Sequence, residues 1–365
     1  MTSDATAGSG PRWAGSEPGL VEAVRDEILH AAEQRITFAR FMETVLTEPG
    51  LGYYATSETR PTREGDFLTA PELHPFFGRC LARVLVAARE ASASNPFRVL
   101  EYGSGRGTLR DPAVKELGVE VEGARTDLPG RSDAPSGTAD LVLANEYLDA
   151  LPVHRLVQAD GLQEAYVGWD GWFCELIDAP STPALAAHLE ADRVELREGQ
   201  RAEVCLAAPA WLARVTTELG PGGIVLVIDY GHDAGQLYGP RRMAGSLLTY
   251  RGHEVADDPF AAVGHTDITA HVDVTALERA AAEAGLVLIG STTQGTFLAI
   301  TWSTTASKAG PHACRATTTS AAAGQTFSSD TSPSRTSTWV PGTRAAARRA
   351  EAARPGSRSM TTTFD

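Results

Sequence analysis

Three alternating glycines follow an apolar run in the first third of the chain and could form the binding loop of a nucleotide cofactor. The run at 97–100 leads into EYGSGRGTL at 101–109, which carries Gly103, Gly105 and Gly107. Without a Cβ, glycine adopts positive φ and lets the backbone approach a ligand. The N–H groups of a helix that starts at such a loop face an anionic group. The alternative interpretation is an ordinary glycine turn.

The spacing of the glycines separates two classes of cofactor. Nicotinamide-binding proteins use G-x-G-x-x-G with an acid about 20 residues later. This chain has G-x-G-x-G, with an acidic residue two positions before the first glycine. That version is typical of the first motif of methyltransferases that use S-adenosylmethionine (SAM). It predicts cofactor-binding roles for Glu101, Gly103, Gly105, Gly107 and Thr108.

The elements that must position this loop indicate an α/β fold. A helix-like stretch at 209–219 runs into GPGGIVLVIDY at 220–230. A second helix is predicted at 272–284, and the apolar runs LVLIG at 286–290 and TFLAITW at 296–302 follow. Their short link predicts an antiparallel hairpin. A parallel sheet that ends in one antiparallel pair is the layout of the Rossmann-like class I methyltransferase fold.

Composition narrows the class of protein. The 365 residues are 42% apolar and 21% charged, which is ordinary for a soluble enzyme. No segment reaches 18 consecutive apolar residues, and the N-terminus lacks the basic start and apolar core of a secretory signal. The four cysteines form no C-x-x-C pair, and the nine histidines form no H-x-x-x-H or H-E-x-x-H pattern. We expect a reducing cytoplasm and no metal site.

The two ends of the chain differ in composition from its body. Residues 304–365 carry eight basic and three acidic side chains, a net charge of +5. The whole chain has a net charge of −14, so residues 1–303 carry −19. The segment has no Leu, Ile or Tyr and is predicted to be a disordered basic tail, as 1–17 is predicted to be a disordered leader. The acidic body repels nucleic acid and favours a cationic partner, or is simply a solvated acidic surface.

Several ordered blocks go beyond a generic α/β pattern. They are Gly-Tyr-Tyr at 52–54, GDFLTAPE at 65–72, ANEYLDALPVHR at 144–155, IDYGH at 228–232, SLLTYRGH at 246–253, GHTDITAHVD at 264–273 and TTQGTFLAI at 292–300. In these blocks the chain resembles the MidA-like family, which includes a mitochondrial complex I assembly-factor arginine methyltransferase. The resemblance covers about residues 20–300 and implies a SAM-dependent methyltransferase. It implies an N-terminal helical and cofactor-covering segment at 18–92.

The implied methyltransferase domain spans 93–303, with insertions after the fourth and fifth strands at about 153–205 and 232–271. An arginine acceptor is a permanently charged guanidinium, which carboxylates hold and from which they accept a proton. Glu146 and Asp149 are three apart and would share one face if NEYLDAL begins a helix after the fourth strand. They are the candidates for this clasp, and Asn145 would touch the donor or position the acceptor. Alternatively, Asn145 or Asp149 caps the helix.

Two further blocks supply binding candidates. The resemblance implies that one segment folds over the cofactor and contains Gly65, Asp66, Phe67 and Thr69. The alternative is an ordinary turn around a buried Phe. Arg251 and His253 lie in the insertion after the fifth strand and are candidates for lining the acceptor tunnel. For a single histidine, a purely structural role is the alternative.

Two departures from the family pattern bear on these predictions. The 37 residues at 108–144 are too few for two βα units of ordinary length and a further strand. Within them the predicted strand VEVEG at 119–123 offers Glu120 or Glu122 for the cofactor ribose. After residue 300 the family continues with an apolar helical segment, whereas this chain turns to low-complexity sequence, as a shifted reading frame would produce.

The leading hypothesis is a SAM-dependent methyltransferase that modifies an arginine of a protein substrate. Small-molecule methylation and a noncatalytic assembly role on the same fold stay open, whereas the glycine spacing disfavours a nicotinamide oxidoreductase. The expected partner is the protein substrate. A homodimer is one assembly that the chain could form. Neither nucleic acid nor membrane is expected.

Overall fold

The computed structural model describes residues 14–56, 75–92, 94, 96–104, 121–126, 138–251, 254–306 and 334–341. Within these residues, helices cover both faces of a central sheet, and two smaller sheets stand beside it. No helix in these ranges is both long and apolar enough to cross a membrane.

The described residues form both helices and strands. In chain order the helices are α1 (Pro18–His30), α2 (Phe38–Thr47), α3 (Pro75–Ser92), α4 (Pro183–Ala191), α5 (Ala207–Glu218), α6 (Ala234–Leu237), α7 (Val274–Glu283) and α8 (Gln294–Ala306). The strands are β1 (Arg35–Thr37), β2 (Phe97–Tyr102), β3 (Val121–Thr126), β4 (Ala139–Asn145), β5 (His154–Gln158), β6 (Leu162–Trp169), β7 (Phe173–Asp178), β8 (Arg201–Val204), β9 (Leu219–His232), β10 (Leu248–Arg251), β11 (Glu254–Ala256), β12 (Asp267–Thr269), β13 (Val272–Asp273), β14 (Leu286–Thr293) and β15 (Ser334–Pro341).

The central sheet has the strand order β14-β15-β9-β4-β2-β3, and β13 adds a short parallel pair to β9. Strands β3, β2, β4 and β9 are parallel, and β15 is antiparallel to both β9 and β14. Six of the seven residues of β4 are buried, as expected for a parallel strand that is covered on both faces. The Rossmann-like α/β fold class is therefore confirmed.

Each face of this sheet is covered by its own helices. On one face, Phe77 and Leu85 of α3 pack against Leu141 of β4 and Ile228 of β9. On the other face, α5 and α7 supply a second cluster that includes Trp211, Leu212, Leu277 and Ala281. All of these side chains are buried. The result is a three-layer arrangement that fixes the carboxyl ends of the parallel strands.

A hairpin was predicted from the runs at 286–290 and 296–302, and the prediction of its second strand is wrong. Residues 286–293 form β14 as expected, but the next residues form α8. The hydroxyl of Thr293 accepts the backbone N–H of Thr296 at 3.3 Å, which is the bond that caps the start of a helix. The local cap therefore overrides the strand-like run of apolar residues.

The antiparallel strand of the sheet comes instead from the segment that was predicted to be a disordered tail. Strand β15 lies between β9 and β14, with Thr336 opposite Ile228 and Trp339 opposite Val225. Disorder was predicted for this segment because it contains no Leu, Ile or Tyr. A strand flanked on both edges gains its ladder of backbone hydrogen bonds whatever its polarity, and Thr, Trp and Val suit a strand well.

The two predicted insertions, at about 153–205 after β4 and 232–271 after β9, contain the two smaller sheets. The first forms an antiparallel sheet of β5 to β8, to which β1 of the N-terminal extension adds by pairing with β6. The second contains α6 and the sheet of β10, β11 and β12. Phe41 of α2 contacts both insertions, with ring centroids 5.3 Å from Phe173 and from Phe260. The N-terminal extension thus joins the two insertions through an aromatic core.

Candidate functional site

The first part of the glycine loop stands at the carboxyl end of β2. Glu101 is 3% exposed there, and Gly103 has a left-handed φ of 63°. A Cβ added to Gly103 would lie 2.9 Å from Cδ2 of Tyr147, which follows β4. Glycine is therefore required by the backbone conformation and by the neighbouring ring. This contact brings the glycine loop against the segment that carries the predicted clasp.

The helix predicted from NEYLDAL is not formed. Asn145 is the last residue of β4, and the residues after it make turns. Glu146 has a left-handed φ of 48°, and its N–H donates to the carbonyl of Ile228 at 2.8 Å. A right-handed helix cannot start in that conformation. Strained backbone of this kind is concentrated at functional sites, and here it sets the direction of the Glu146–Asp149 segment.

A carboxylate from the neighbouring strand holds this segment. Asp229 of β9 is 2% exposed. It accepts N–H bonds from Tyr147 at 3.1 Å, Leu148 at 2.8 Å and Tyr230 at 2.8 Å. Burial raises the pKa of Asp229 to about 6, although these hydrogen bonds oppose the shift. Asp229 lies in the IDYGH block at 228–232, and no role was predicted for it.

The turn places Asp149 among other acids. Its pKa is raised well above the usual range by burial first, then by the carboxylates of Asp229, Glu146 and Asp267. The carbonyl of Asp149 also accepts the N–H of Ala270, which anchors the turn to the residue after β12. Glu146 and Asp149 are thus brought together as predicted, by a turn and not by a helix.

The second insertion and the N-terminal extension complete this group of acids. Tyr54 donates its hydroxyl to Oδ1 of Asp267 at 2.7 Å. Burial and the nearby charges of Asp149 and Asp267 raise the pKa of Tyr250. We call Glu146, Asp149, Asp229 and Asp267 the carboxylate cluster, and Tyr54 and Tyr250 stand beside it. Tyr54, Asp229, Tyr250 and Asp267 all lie in sequence blocks that resemble the family. The blocks are far apart along the chain, so the sequence did not indicate that these side chains meet.

Arg251 is not brought to the carboxylate cluster. It is exposed at the end of β10, and its guanidinium lies near the backbone of Gly15. Side chains alternate between the two faces of a strand, so the preceding residue, Tyr250, is the one that faces Asp149. The tunnel-lining role of Arg251 stays a prediction.

Glu122 is also placed away from the glycine loop. The predicted strand is shifted by two residues, and β3 pairs Glu122 with Arg98 and Thr126 with Tyr102. Glu122 is thus four residues, or about 13 Å, from the carboxyl edge of the sheet. This register does not favour a ribose contact by Glu122. The remaining predicted residues lie outside the described part of the chain: Gly65, Asp66, Phe67, Thr69, Gly105, Gly107, Thr108, Glu120 and His253.

The described residues fit a nucleoside cofactor at this edge. From β2 the chain goes to β3 on one side and then to β4 on the other, and ligands of open α/β sheets bind in the crevice at such a reversal. Gly103 leaves room for close approach, and Glu101 supplies a buried carboxylate at the same strand end. Of the carboxylate cluster, Glu146 and Asp149 follow β4, Asp229 lies in the adjacent strand β9, and Asp267 begins β12.

The known proteins that this chain resembles are methyltransferases. Residues 126–292 match a family described as S-adenosyl-L-methionine-dependent methyltransferase. A COG1565 superfamily protein of Burkholderia thailandensis, solved bound to S-adenosyl-homocysteine, is 33% identical with a TM-score of 0.73; the match covers 83% of this chain and 86% of that one. A second structure from the same organism is 27% identical with a TM-score of 0.72, covering 91% and 94%.

A curated relative is the mitochondrial protein arginine methyltransferase NDUFAF7 of Mus musculus, which is 28% identical over 72% of this chain and 70% of its own. The identity and mutual coverage with the first Burkholderia structure are high enough to show the family. The chain belongs to the MidA-like family of SAM-dependent methyltransferases.

Proposed function

We propose that this methyltransferase modifies an arginine side chain of a protein substrate. The observation that carries the proposal is the carboxylate cluster, in which four acids from the turn after β4, from β9 and from β12 meet. The relatives named protein arginine methyltransferase, such as the one of Mus musculus, support the same acceptor.

The electrostatics of the cluster suit a cation. Burial raises the pKa values of Asp149 and Asp229, and neighbouring carboxylates raise that of Asp149 further, so the cluster resists full ionisation while it holds no cation. A guanidinium that enters the cluster stabilises the ionised form of each carboxyl. Because guanidinium is planar with donors in a fixed fork, two carboxylates can also set its orientation. A neutral acceptor would gain none of this.

The bound cofactor supplies an activated methyl group, and the residues of the chain do the remaining work. Glu146 and Asp149 orient the guanidinium and accept the proton that leaves the methylated nitrogen. A carboxyl with a raised pKa is a better proton acceptor near neutral pH than an ordinary Asp. Asp229 fixes the turn through the N–H groups of Tyr147 and Leu148. Asn145, at the end of β4, stays a candidate for positioning donor or acceptor.

The test is the pair of variants Glu146→Gln and Asp149→Asn. Both keep the size of the side chain and remove its charge, and a charge-assisted hydrogen bond is worth about 1.5–3 kcal/mol. We expect Glu146→Gln to lose at least about tenfold in the rate of methyl transfer and Asp149→Asn to lose less. Cofactor affinity by calorimetry should stay within about twofold. Radiolabelled SAM and a cell extract give the rate, and amino-acid analysis of the labelled protein gives the modified residue.

The matched control is Asp257→Asn, which removes an exposed acid of the second insertion. It should methylate at the rate of the unmodified chain. Label on a small molecule, at a rate that Glu146→Gln leaves unchanged, would establish the alternative small-molecule methyltransferase. Cofactor binding with no transfer to any component of the extract would instead favour a noncatalytic assembly role.

We also propose that the protein works in a reducing cytoplasm. Three of its cysteines, Cys80, Cys174 and Cys205, lie in the described residues as free thiols, which is consistent with that compartment. Fractionation of cells followed by immunoblotting tests the location. Recovery of the protein in a secreted fraction would overturn it.

A further inference from the structure

A second polar cluster lies where the first insertion meets the methyltransferase core. His188 is on α4, and Asp192 follows the end of that helix. Asp273 is the N-cap of α7, and Tyr238 is the residue after α6. Side chains from three separate segments of the chain therefore converge on one point. None of them belongs to the carboxylate cluster.

Each carboxylate has one oxygen committed to structure and the other turned to His188. Oδ1 of Asp273 accepts the N–H of Ala276 at 3.1 Å, and Oδ1 of Asp192 pairs with the guanidinium of Arg279. Oδ2 of Asp273 lies 3.3 Å from Nε2 of His188, and Oδ2 of Asp192 lies 3.5 Å from it. The hydroxyl oxygen of Tyr238 is 3.5 Å from the same nitrogen.

The cluster is closed to solvent. The side chains of His188, Asp192 and Asp273 are 4%, 0% and 8% exposed. Oδ2 of Asp192 has no hydrogen-bond donor within the described parts of the chain. A buried carboxylate oxygen without a donor is costly, so something beyond these hydrogen bonds should balance it.

The spacing of the three atoms matches a metal site. Zinc binds imidazole nitrogen and carboxylate oxygen at about 2.0–2.2 Å in a tetrahedron, which separates the ligand atoms by about 3.4 Å. The atoms here are separated by 3.3 Å and 3.5 Å from the shared nitrogen, and all three lie within 4.8 Å of one another. Tyr238 offers a fourth oxygen.

We propose that His188, Asp192 and Asp273 bind one zinc ion, with Tyr238 at the fourth position. All four positions come from the protein, so the site is structural and does not activate water. It would fasten the first insertion to α7 of the core. The opposing explanation is an imidazolium: a protonated His188 would bridge both carboxylates and balance their charge without a metal.

Metal content and thermal stability decide between the two. The full chain is purified without a histidine tag, and its zinc is measured as isolated, after dialysis against a chelator and after reloading with zinc chloride. We expect about one zinc per chain and, at a hundredfold excess over Kd, a Tm about 5 °C above the chelated protein. Less than a tenth of an ion per chain with no change in Tm would overturn the proposal.

His188→Ala should lose both the ion and the Tm response, while His30→Ala, which removes an exposed imidazole of α1, should keep both. Equal zinc binding by the unmodified chain and His188→Ala would place the ion elsewhere and overturn the site. If His188→Ala does not fold, cobalt substitution of the unmodified chain still decides. An intense visible band supports the four-coordinate site, and the weak spectrum of hydrated cobalt contradicts it.

Discussion

At the scale of single residues, two left-handed positions shape the candidate site. Gly103 ends β2 at φ 63°, and Glu146 follows β4 at φ 48°. The first brings the glycine loop against Tyr147, and the second turns the chain so that Glu146 and Asp149 stand together. Glycine adopts such a φ freely, whereas the left-handed backbone of Glu146 costs about 1–3 kcal/mol. Asp229 offsets part of this cost by accepting the N–H groups of the turn.

Gly103→Ala should lose cofactor affinity for two physical reasons. The new Cβ must adopt a left-handed conformation, at about 1–2 kcal/mol, and it would meet the ring of Tyr147. Gly171→Ala is the matched control, because Gly171 has φ 72° and open space around its Cβ position. Both variants should melt a few degrees lower, and only Gly103→Ala should bind SAM at least about tenfold more weakly by calorimetry. Equal SAM affinity in the two variants would contradict this role of the loop.

Methyl transfer should depend on pH through the carboxylate cluster. Burial raises the pKa of Asp229 to about 6, and the pKa of Asp149 is raised as well. The cationic acceptor needs ionised carboxylates, so the rate should rise with pH and fall about tenfold for each unit below pH 6. The folded state binds more protons than the unfolded chain between pH 4 and 6. These carboxyls therefore lower the free energy of unfolding as pH rises through that window.

Initial rates with radiolabelled SAM between pH 5 and 8 test this dependence. Circular dichroism at each pH controls for folding. A flat profile in a folded protein would show that the cluster carries its charge independently of pH.

At the scale of elements, the sheet is completed from the far end of the sequence. Strand β15 pairs with β9 on one edge and with β14 on the other. Without it, both neighbours would present unpaired N–H and C=O groups, which favour aggregation. Residues 304–365 were predicted to be a disordered tail because of their composition. The pairing gives eight of its residues a structural role.

Two truncations separate the strand from the rest of the tail. Removing residues 307–365 takes β15 away and should lower Tm by about 5 °C or more, with aggregation during size-exclusion chromatography. Removing residues 343–365 leaves β15 in place and should change neither. The same Tm for both truncations would mean that β15 adds nothing to the fold, and retained methyl transfer would show that the site forms without it.

At the scale of the whole molecule, the site is assembled from parts that are distant in sequence. The methyltransferase sheet supplies Glu146, Asp149 and Asp229, the N-terminal extension supplies Tyr54, and the second insertion supplies Asp267. The aromatic core around Phe41 holds the extension and both insertions together. This core should therefore affect the acceptor side of the site more than the cofactor side.

Phe41→Ala tests this division. The side chain is fully buried, and its loss should destabilise the protein by about 3–5 kcal/mol. We expect methyl transfer to fall while SAM affinity per folded molecule stays the same. Leu185→Ala is the control, since it removes an equally buried side chain from the separate core around α4. Equal loss of turnover in the two variants would indicate a general effect of destabilisation.

The sequence by itself determined the features that depend on local chemistry. The glycine spacing and the acid before it indicated the cofactor class, because a left-handed turn and close approach require glycine there. The apolar runs that form β2 and β9 indicated a parallel sheet, since strands covered on both faces are apolar throughout. The ordered blocks resembled the family to which the chain belongs. Glu146 and Asp149 were named as a pair, although the reason given, a helix, was wrong.

Only the tertiary structure decided which distant residues meet. Asp229, Asp267, Tyr54 and Tyr250 joined the predicted pair because a sheet edge, an insertion and the N-terminal extension converge there. His188 and Asp192 are one helical turn apart, but Asp273 joins them from the start of α7, 81 residues later. Strand β15 was missed because backbone pairing does not depend on apolar composition. Spacing reports neighbours along one element, whereas contacts between elements depend on packing that no local pattern records.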